Sequence, residues 1–131
     1  MLVDQIAVFV ENKVGSLDKL IELLANNDIN IDSLTVSEDS DFGIVKIITK
    51  QNKRAIEVLE TEGYTYKKTK LIAFEVDDKP GSLQKFLKIL SANNIQIEYI
   101  YSHTLRGDKG LILFKTKDMK LAEEVLSKID K

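Results

Sequence analysis

The stretch Val10-Glu11-Asn12-Lys13-Val14-Gly15-Ser16-Leu17 returns 66 positions later as Val76-Asp77-Asp78-Lys79-Pro80-Gly81-Ser82-Leu83. The correspondence continues along the chain on both sides of a one-residue insertion. Its members are Leu24, Asn27, Ile29, Ile31, Gly43, Thr49 and Lys50, which recur as Leu90, Asn93, Ile95, Ile97, Gly110, Thr116 and Lys117. An internal repeat predicts two copies of one structural unit. We therefore expect residues 1–69 and 70–131 to form two similar domains, each near the lower size limit for burying a core of its own.

Composition excludes several classes of function. The 131 residues include 19 basic and 21 acidic side chains, a net charge of −2, so we expect no electrostatic attraction to nucleic acid or to an anionic membrane. The absence of Cys and the single His, His103, exclude disulfides, thiolate sites and multi-histidine metal sites. No apolar run approaches the ~18 residues of a membrane span, and the first residues do not resemble a signal peptide. A cytoplasmic protein is expected.

Hydrophobic periodicity predicts the elements of the first copy. Residues 5–11 read as a strand that is apolar on both faces, and a helix with Leu17, Leu20, Ile21 and Leu24 on its buried side follows. Ser16 is predicted to cap that helix. Residues 29–37 and 43–50 then predict a hairpin, 52–62 a second helix and 64–68 a short strand. The order β-α-β-β-α-β is typical of the ferredoxin-like fold.

The second copy follows the same pattern, with Leu83, Phe86, Leu87 and Leu90 on the buried side of its first helix, but it ends early. Its first strand is predicted at 71–76, its hairpin turns at 106–108, and its second helix reaches Ile129 without a strand after it. The predicted fold class is therefore α+β, with two ferredoxin-like units in tandem and the last strand missing from the second. Because 71–76 would then be an exposed apolar edge, we expect a strand from the first copy or from a partner chain to cover it.

The repeated loop carries a family resemblance. A strand followed by Asx-x-Pro-Gly-x-Leu, a helix and then Asn-x-Ile-x-Ile resembles the ACT domain. Residues 78–83 and 93–97 match this pattern in full, whereas the first copy has Val14 in place of the proline. The whole chain is similar to small stand-alone tandem ACT proteins, whose second copy often carries a stretch like Ile97-Glu98-Tyr99-Ile100-Tyr101.

The resemblance implies a regulatory protein rather than an enzyme. ACT domains bind amino acids or other small ligands at interfaces between two copies, so it implies a homodimer, an amino acid as ligand and, as a further partner, a metabolic enzyme under allosteric control. It assigns ligand contacts to equivalent residues of the two copies. These are Asn12, Val14, Gly15, Ser16 and Asn30 in the first, and Asp78, Pro80, Gly81, Ser82 and Gln96 in the second. A helix N-terminus suits a carboxylate, and an Asx side chain before it can accept from an ammonium group.

The same residues also have ordinary structural explanations. Asn12, Gly15 and Pro80 are common turn and helix-entry residues. Tyr99 and Tyr101 share one face of a strand, where they could line a pocket or an interface, or simply pack across strands. His103 follows on that face, with either a ligand role or a solvated side chain.

Other functions remain open in the sequence. No nucleophile–base pair, carboxylate dyad or glycine-rich phosphate loop is recognisable, so we expect no catalysis, no cofactor and no metal. The alternatives to a ligand-binding regulator are a purely structural dimerisation module and a regulatory subunit of an amino-acid biosynthetic enzyme.

Overall fold

The computed structural model describes residues 1–38, 41–104 and 107–129. Strands and helices follow one another in the order β1 (Leu2–Glu11), α1 (Ser16–Asn26), β2 (Ser33–Glu38), β3 (Phe42–Ile48), α2 (Asn52–Thr61), β4 (Thr65–Asp77), α3 (Ser82–Ala92), β5 (Ile97–Thr104), β6 (Lys109–Thr116) and α4 (Met119–Ser127). The chain divides into two compact units. The first unit is Asp4–Thr69, and the second unit is Lys70–Lys131 together with Met1–Val3.

The first unit has the predicted ferredoxin-like arrangement. Its strand order is β2-β3-β1-β4, in which β3 runs antiparallel to both β1 and β2. The side chains of β3 alternate between buried and half-buried, as expected of a strand with helices on one face. The fully buried core residues of this unit are Ile6, Val8, Leu20, Leu24, Val45, Ile47 and Leu59.

The second unit repeats this arrangement with a more aromatic core. β6 runs antiparallel to both β4 and β5. Phe86 of α3 is 3 % exposed and packs between two other rings, with centroid distances of 5.3 Å to Phe74 and 5.5 Å to Phe114. Leu20 occupies the equivalent position in the first unit, so the two cores differ in side-chain shape at the same place in the fold. The α+β fold of two ferredoxin-like units is confirmed.

The strand that the second copy lacks is replaced from the N-terminal end of the chain. The Ala73 N–H donates to the Met1 carbonyl at 2.8 Å, and the Met1 amine donates to the Ala73 carbonyl at 3.3 Å. Such a reciprocal pair is the hydrogen-bonding pattern of antiparallel strands. Of the two sources expected for a strand beside 71–76, the first copy of the repeat provides it, and the second unit is completed by residues far from it in sequence.

Several strand boundaries differ from the prediction, and two of the differences are large. The second strand begins at Ser33 rather than at Ile29, because Asp28 adopts a left-handed conformation (φ 57°) and the Gln51 side chain bonds the backbone of Asp28 and Asn30. Ile29 is buried within this connection. The strands predicted at 64–68 and 71–76 form one continuous strand, β4. The predicted turns around 39–40 and at Arg106 lie outside the described residues.

The helix-capping prediction is wrong. Gly15 and Gly81 are the N-cap residues of α1 and α3, both with φ 91°, and neither helix has a side-chain cap. Ser16 and Ser82 are instead the first helical residues. A side-chain cap does occur at α4, where the Asp118 carboxylate accepts from the Leu121 N–H at 3.1 Å.

Candidate functional site

The repeated loop is the same tight turn in both units. The Ser16 N–H donates to the Lys13 carbonyl at 3.2 Å, and the Ser82 N–H donates to the Lys79 carbonyl at the same distance. Gly15 and Gly81 have φ 91° with ψ −11° and −16°, close to the third position of a type II turn, where glycine is favoured because φ is positive. A Cβ on either glycine would have no atom of this chain within 4 Å. Backbone conformation, not space, therefore requires glycine here.

The predicted loop residues are held at the surface. Asn12, Val14, Gly15, Asp78, Pro80 and Gly81 are exposed, whereas Ser16 and Ser82 are half-buried. Val14 is fully exposed, at 103 %, and no burial in this chain explains an apolar side chain at that place. Pro80 occupies the equivalent second position of the turn, where its fixed φ is favourable.

Asn30 and Gln96 lie away from the loops of their own units. Asn30 follows the C-terminal end of α1, whose N-terminal end carries the Asn12 loop. An 11-residue helix is ~16 Å long at 1.5 Å per residue. A single unit therefore does not bring Asn12 and Asn30 together, and the same separation applies to Asp78 and Gln96 across α3.

The backbone at these two distant positions has a structural role that the repeat preserves. The Asn30 carbonyl accepts from the Thr49 hydroxyl at 2.6 Å, and the Gln96 carbonyl accepts from the Thr116 hydroxyl at 2.7 Å. Thr49 and Thr116 are 4 % and 2 % exposed. The recurrence of Thr in the two copies is thus explained by a partly buried hydrogen bond from a buried hydroxyl group.

A small cavity adjoins the loop of the second unit. Its volume is about 220 Å³, and its lining combines both charges with apolar strand residues. The lining residues are Val76, Asp77, Asp78, Lys79, Ser82, Leu83, Ser102, Gly110, Leu111 and Ile112. Two of the predicted ligand residues, Asp78 and Ser82, are therefore brought together beside a cavity, at the start of α3.

Each unit also has a larger groove between the end of its first strand and its first helix. The first-unit groove, about 500 Å³, is lined by Phe9, Val10, Glu11, Lys13, Ser16, Lys19, Glu22, Leu23, Asn26, Glu62, Gly63, Tyr64 and Thr65. The second-unit groove, about 410 Å³, is lined by Phe74, Glu75, Val76, Asp77, Lys79, Ser82, Lys85, Phe86, Ile89, Lys109 and Ile129. Both volumes fall in the range of small-molecule sites.

Lysines surround one carboxylate in the second-unit groove. Asp77 accepts a hydrogen bond from Lys109 Nζ at 2.7 Å and lies 3.9 Å from Lys79 Nζ. The hydrogen bond and charge of Lys109, with smaller contributions from Lys79 and Lys85, hold the pKa of Asp77 below its usual value. Reciprocally, Asp77 raises the pKa of Lys109. Both groups are therefore charged at neutral pH.

Comparison with known proteins identifies the family. A model of the ACT domain pair matches residues 1–130. The chain belongs to the ACT domain pair family. A crystal structure of a protein from Bacteroides thetaiotaomicron is 31 % identical, with a TM-score of 0.91 over 97 % of this chain and 88 % of that one. No curated protein matches the chain.

More distant structures share the fold. The ligand-free regulatory subunit of aspartate kinase from Thermus thermophilus is 15 % identical, with a TM-score of 0.66 over 95 % of this chain and 91 % of that one. The corresponding subunit from Thermus flavus is also 15 % identical, with a TM-score of 0.65 over 97 % and 94 % of the two chains. At this identity the likeness is one of fold alone.

The tyrosines of β5 in the second ACT unit lie opposite residues of the neighbouring strand β6. Tyr99 lies opposite Lys115 and Tyr101 opposite Leu113 on β6. Tyr101 is half-buried, and burial, followed by the neighbouring Tyr99, raises its pKa well above the usual range. The two tyrosines thus share a face as predicted. The side chain of His103 lies outside the described part of the structure.

Several residues that line the grooves were not predicted from the sequence. Lys19 and Lys85 occupy equivalent positions in the two copies, and this identity was an available signal that the helix face beside the loop is part of the repeat. Phe86 was recognised only as a core residue. Lys109 could not have been found in this way, because its equivalent in the first unit is Phe42, and only the strand register places it beside Asp77.

Metal and membrane functions gain no support from the described residues. Among residues 1–38, 41–104 and 107–129 there is no cluster of three or more His, Asp or Glu side chains fit to hold a metal ion. Within those same ranges, no helix combines the length and the apolarity needed to cross a membrane.

Proposed function

We propose that this ACT domain pair is a non-catalytic regulatory protein that binds an amino acid at its repeated loops and thereby controls association with a second copy or with a metabolic enzyme. The observation that carries the proposal is the cavity of about 220 Å³ at the start of α3, where Asp78, Lys79 and Ser82 meet. The proposed setting is the cytoplasm.

The chemistry of this cavity complements a zwitterion. The Asp78 carboxylate can pair with a ligand ammonium, while Lys79 and the positive end of the α3 dipole favour a ligand carboxylate. The type II turn fixes these groups before a ligand arrives, because the conformation of Gly81 presets the loop. Preorganisation of this kind lowers the entropic cost of binding.

The separation of Asn12 from Asn30 supports a ligand shared between ACT copies. The two side chains stand at opposite ends of an 11-residue helix, so they can contact one small ligand only if different ACT copies contribute them. A ligand held in this way binds the associated state better than the dissociated state. Linkage then requires that ligand binding strengthens association, and that association strengthens ligand binding.

An enzyme partner is the second part of the proposal. Structures with this fold include regulatory subunits of aspartate kinase, and a regulatory ACT pair without recognisable catalytic groups needs another chain on which to act. The sequence has no Cys and one His, which leaves few of the usual nucleophile and base combinations. Co-purification of a metabolic enzyme, dependent on the ligand, would identify that partner.

A ligand screen on the full chain tests the proposal. The midpoint of thermal unfolding should rise in the presence of at least one of the twenty amino acids at millimolar concentration, because a ligand that binds only the folded state stabilises it. Asp78→Ala should reduce the rise. Asn12→Ala is the matched change in the first loop. Its effect on the rise of the unfolding midpoint shows whether the first copy also binds the ligand.

Two outcomes count against the proposal. If no amino acid changes the unfolding midpoint, the loop is a structural turn and the chain is a dimerisation module. If an amino acid stabilises the wild type and both loop variants equally, the ligand binds elsewhere.

A further inference from the structure

We infer that the second-unit groove receives the side chain of the ligand, so that the protein prefers amino acids with a large apolar side chain, aromatic or branched. This inference deepens the proposed function and rests on it. It assigns the specificity of the site to residues outside the family loop motif, chiefly Phe74, Val76 and Ile89.

Apolar side chains line the floor of the second-unit groove, and charged side chains line its rim. Phe86 is nearly fully buried, Phe74 and Val76 come from β4, and Ile89 and Ile129 are half-buried. A partly exposed apolar concavity with a few convergent charges is the usual composition of a small-molecule site. Covering these side chains with an apolar group removes their surface from water, which favours binding.

The charge at the rim favours a carboxylate. Three lysines, Lys79, Lys85 and Lys109, face two acidic residues, Glu75 and Asp77, which leaves one positive charge in excess. Lys109 is engaged by Asp77 at 2.7 Å, whereas Lys79 is 3.9 Å away. Lys79 and Lys85 are therefore the cations better placed to pair with an incoming anion.

The first-unit groove has the opposite balance. Two lysines, Lys13 and Lys19, face three acidic residues, Glu11, Glu22 and Glu62, which leaves one negative charge in excess. Helix α3 carries Lys88 where α1 carries Glu22, and Phe86 where α1 carries Leu20. Because equivalent places in one fold differ in these ways, we expect the two grooves to differ in ligand preference.

The second-unit groove is continuous in its lining with the loop cavity. Both are lined by Val76, Asp77, Lys79 and Ser82. A ligand whose ammonium and carboxylate groups lie at the loop can therefore direct its side chain along Val76 toward Phe86. Serine or aspartate would leave the apolar part of the groove unfilled.

Calorimetric titration of the full chain with L-phenylalanine, L-leucine, L-serine and L-aspartate tests this assignment. We expect phenylalanine or leucine to bind at least about tenfold more tightly than serine, because a few methylene groups in an apolar pocket give discrimination of this order. Ile89→Ser should reduce that ratio, whereas Leu23→Ser, the matched change in the first-unit groove, should preserve it. Lys85→Glu should weaken binding of every carboxylate, and Lys19→Glu should not.

The outcomes separate the inference from the proposed function. Lys85 and Lys19 are both exposed, so their variants remain informative if Ile89→Ser fails to fold. Binding of serine or aspartate that Asp78→Ala abolishes but that Ile89→Ser and Lys85→Glu leave unchanged would overturn the groove assignment while the proposed function stands. Equal effects of the first-unit and second-unit variants would also overturn the assignment. If no amino acid binds, both the groove assignment and the proposed function are overturned.

Discussion

The loops of the two units are nearly identical in backbone, yet the grooves beside them differ in charge and shape. Gly15 and Gly81 share φ 91°, and the serine–lysine hydrogen bonds of the two turns have the same length. In contrast, Phe9 and Phe42 of the first unit pack with ring centroids 5.5 Å apart at positions that Glu75 and Lys109 occupy in the second. The repeat thus preserves the turn and varies its surroundings, so the proposed difference in ligand preference depends on residues outside the motif.

The largest expected effect concerns the aromatic core of the second unit. Phe86→Ala should lower the free energy of unfolding by about 3–5 kcal/mol, because it removes a buried ring and leaves a cavity between Phe74 and Phe114. Leu20→Ala, the matched change in the first unit, should cost about 2–5 kcal/mol. Urea denaturation measures both. A cost near zero for Phe86→Ala would show that the three rings do not form a packed core.

The next largest effect concerns Thr49 and Thr116, which occupy equivalent positions in the two copies. Thr49→Val should destabilise the protein by about 0.5–1.5 kcal/mol, because it removes the partly buried hydrogen bond to the Asn30 carbonyl. The Thr49 hydroxyl also accepts from the Gln51 N–H at 3.1 Å, so we expect Thr49→Val to cost more than Thr116→Val. Denaturant titration of the two variants side by side checks the order. The reverse order would mean that the bond to Gln51 contributes no stability.

A smaller effect of opposite sign is expected at the loop. Val14→Pro should stabilise the protein by about 0.4–1 kcal/mol, because proline restricts the unfolded chain and the same turn already accommodates Pro80. Pro80→Val should destabilise it by a similar amount. Thermal unfolding midpoints measure both changes. Destabilisation by Val14→Pro would show that the two turns are less alike than their glycine conformations indicate.

The smallest effect concerns the dependence of stability on pH. The pKa of Asp77 is lowered in the folded state, so its pairing stabilises the fold above the ordinary aspartate pKa and this contribution is lost as the pH falls through the folded-state value. The pKa of Lys109 is raised, so its contribution is present below the ordinary lysine pKa and is lost as the pH rises through the folded-state value. The stability difference between wild type and Asp77→Asn should therefore disappear in acid. A difference that stays constant from neutral to acidic pH would contradict this origin.

The fold could be predicted well from the sequence because most helices and strands occur twice, once in each copy of the repeat. Leu17, Leu20 and Leu24 predicted the first helix, and Leu83, Phe86 and Leu90 predicted its equivalent independently. The prediction that Leu17 and Leu83 lie on the buried side was wrong, because they are 37 % and 46 % exposed at the first turn of each helix. The prediction was weakest where pairing between distant residues decides the outcome. Nothing local in Met1–Val3 indicates a partner 72 positions away, and the turn of Asp28 out of strand geometry depends on Gln51.

The candidate site was predicted only in part for a similar reason. The motif identified the loop and hence Asp78, Gly81 and Ser82, whose conformations depend mainly on neighbouring residues. It gave no means of predicting that Asn30 lies a helix length from Asn12, or that Lys109 lies beside Asp77. Those positions follow from strand register and helix direction, which the pattern of a single segment does not contain.

The pairing of Met1 with Ala73 also bears on the order of folding. During synthesis the N-terminal segment leaves the ribosome long before Ala73 is made, so one edge of the second unit cannot be completed until more than half of the chain has emerged. Contacts of such long sequence separation carry a high loop-closure cost and slow the folding of a domain. We therefore expect Met1–Val3 to pair with β4 late in folding. The rest of β1 forms earlier, as part of the Asp4–Thr69 unit.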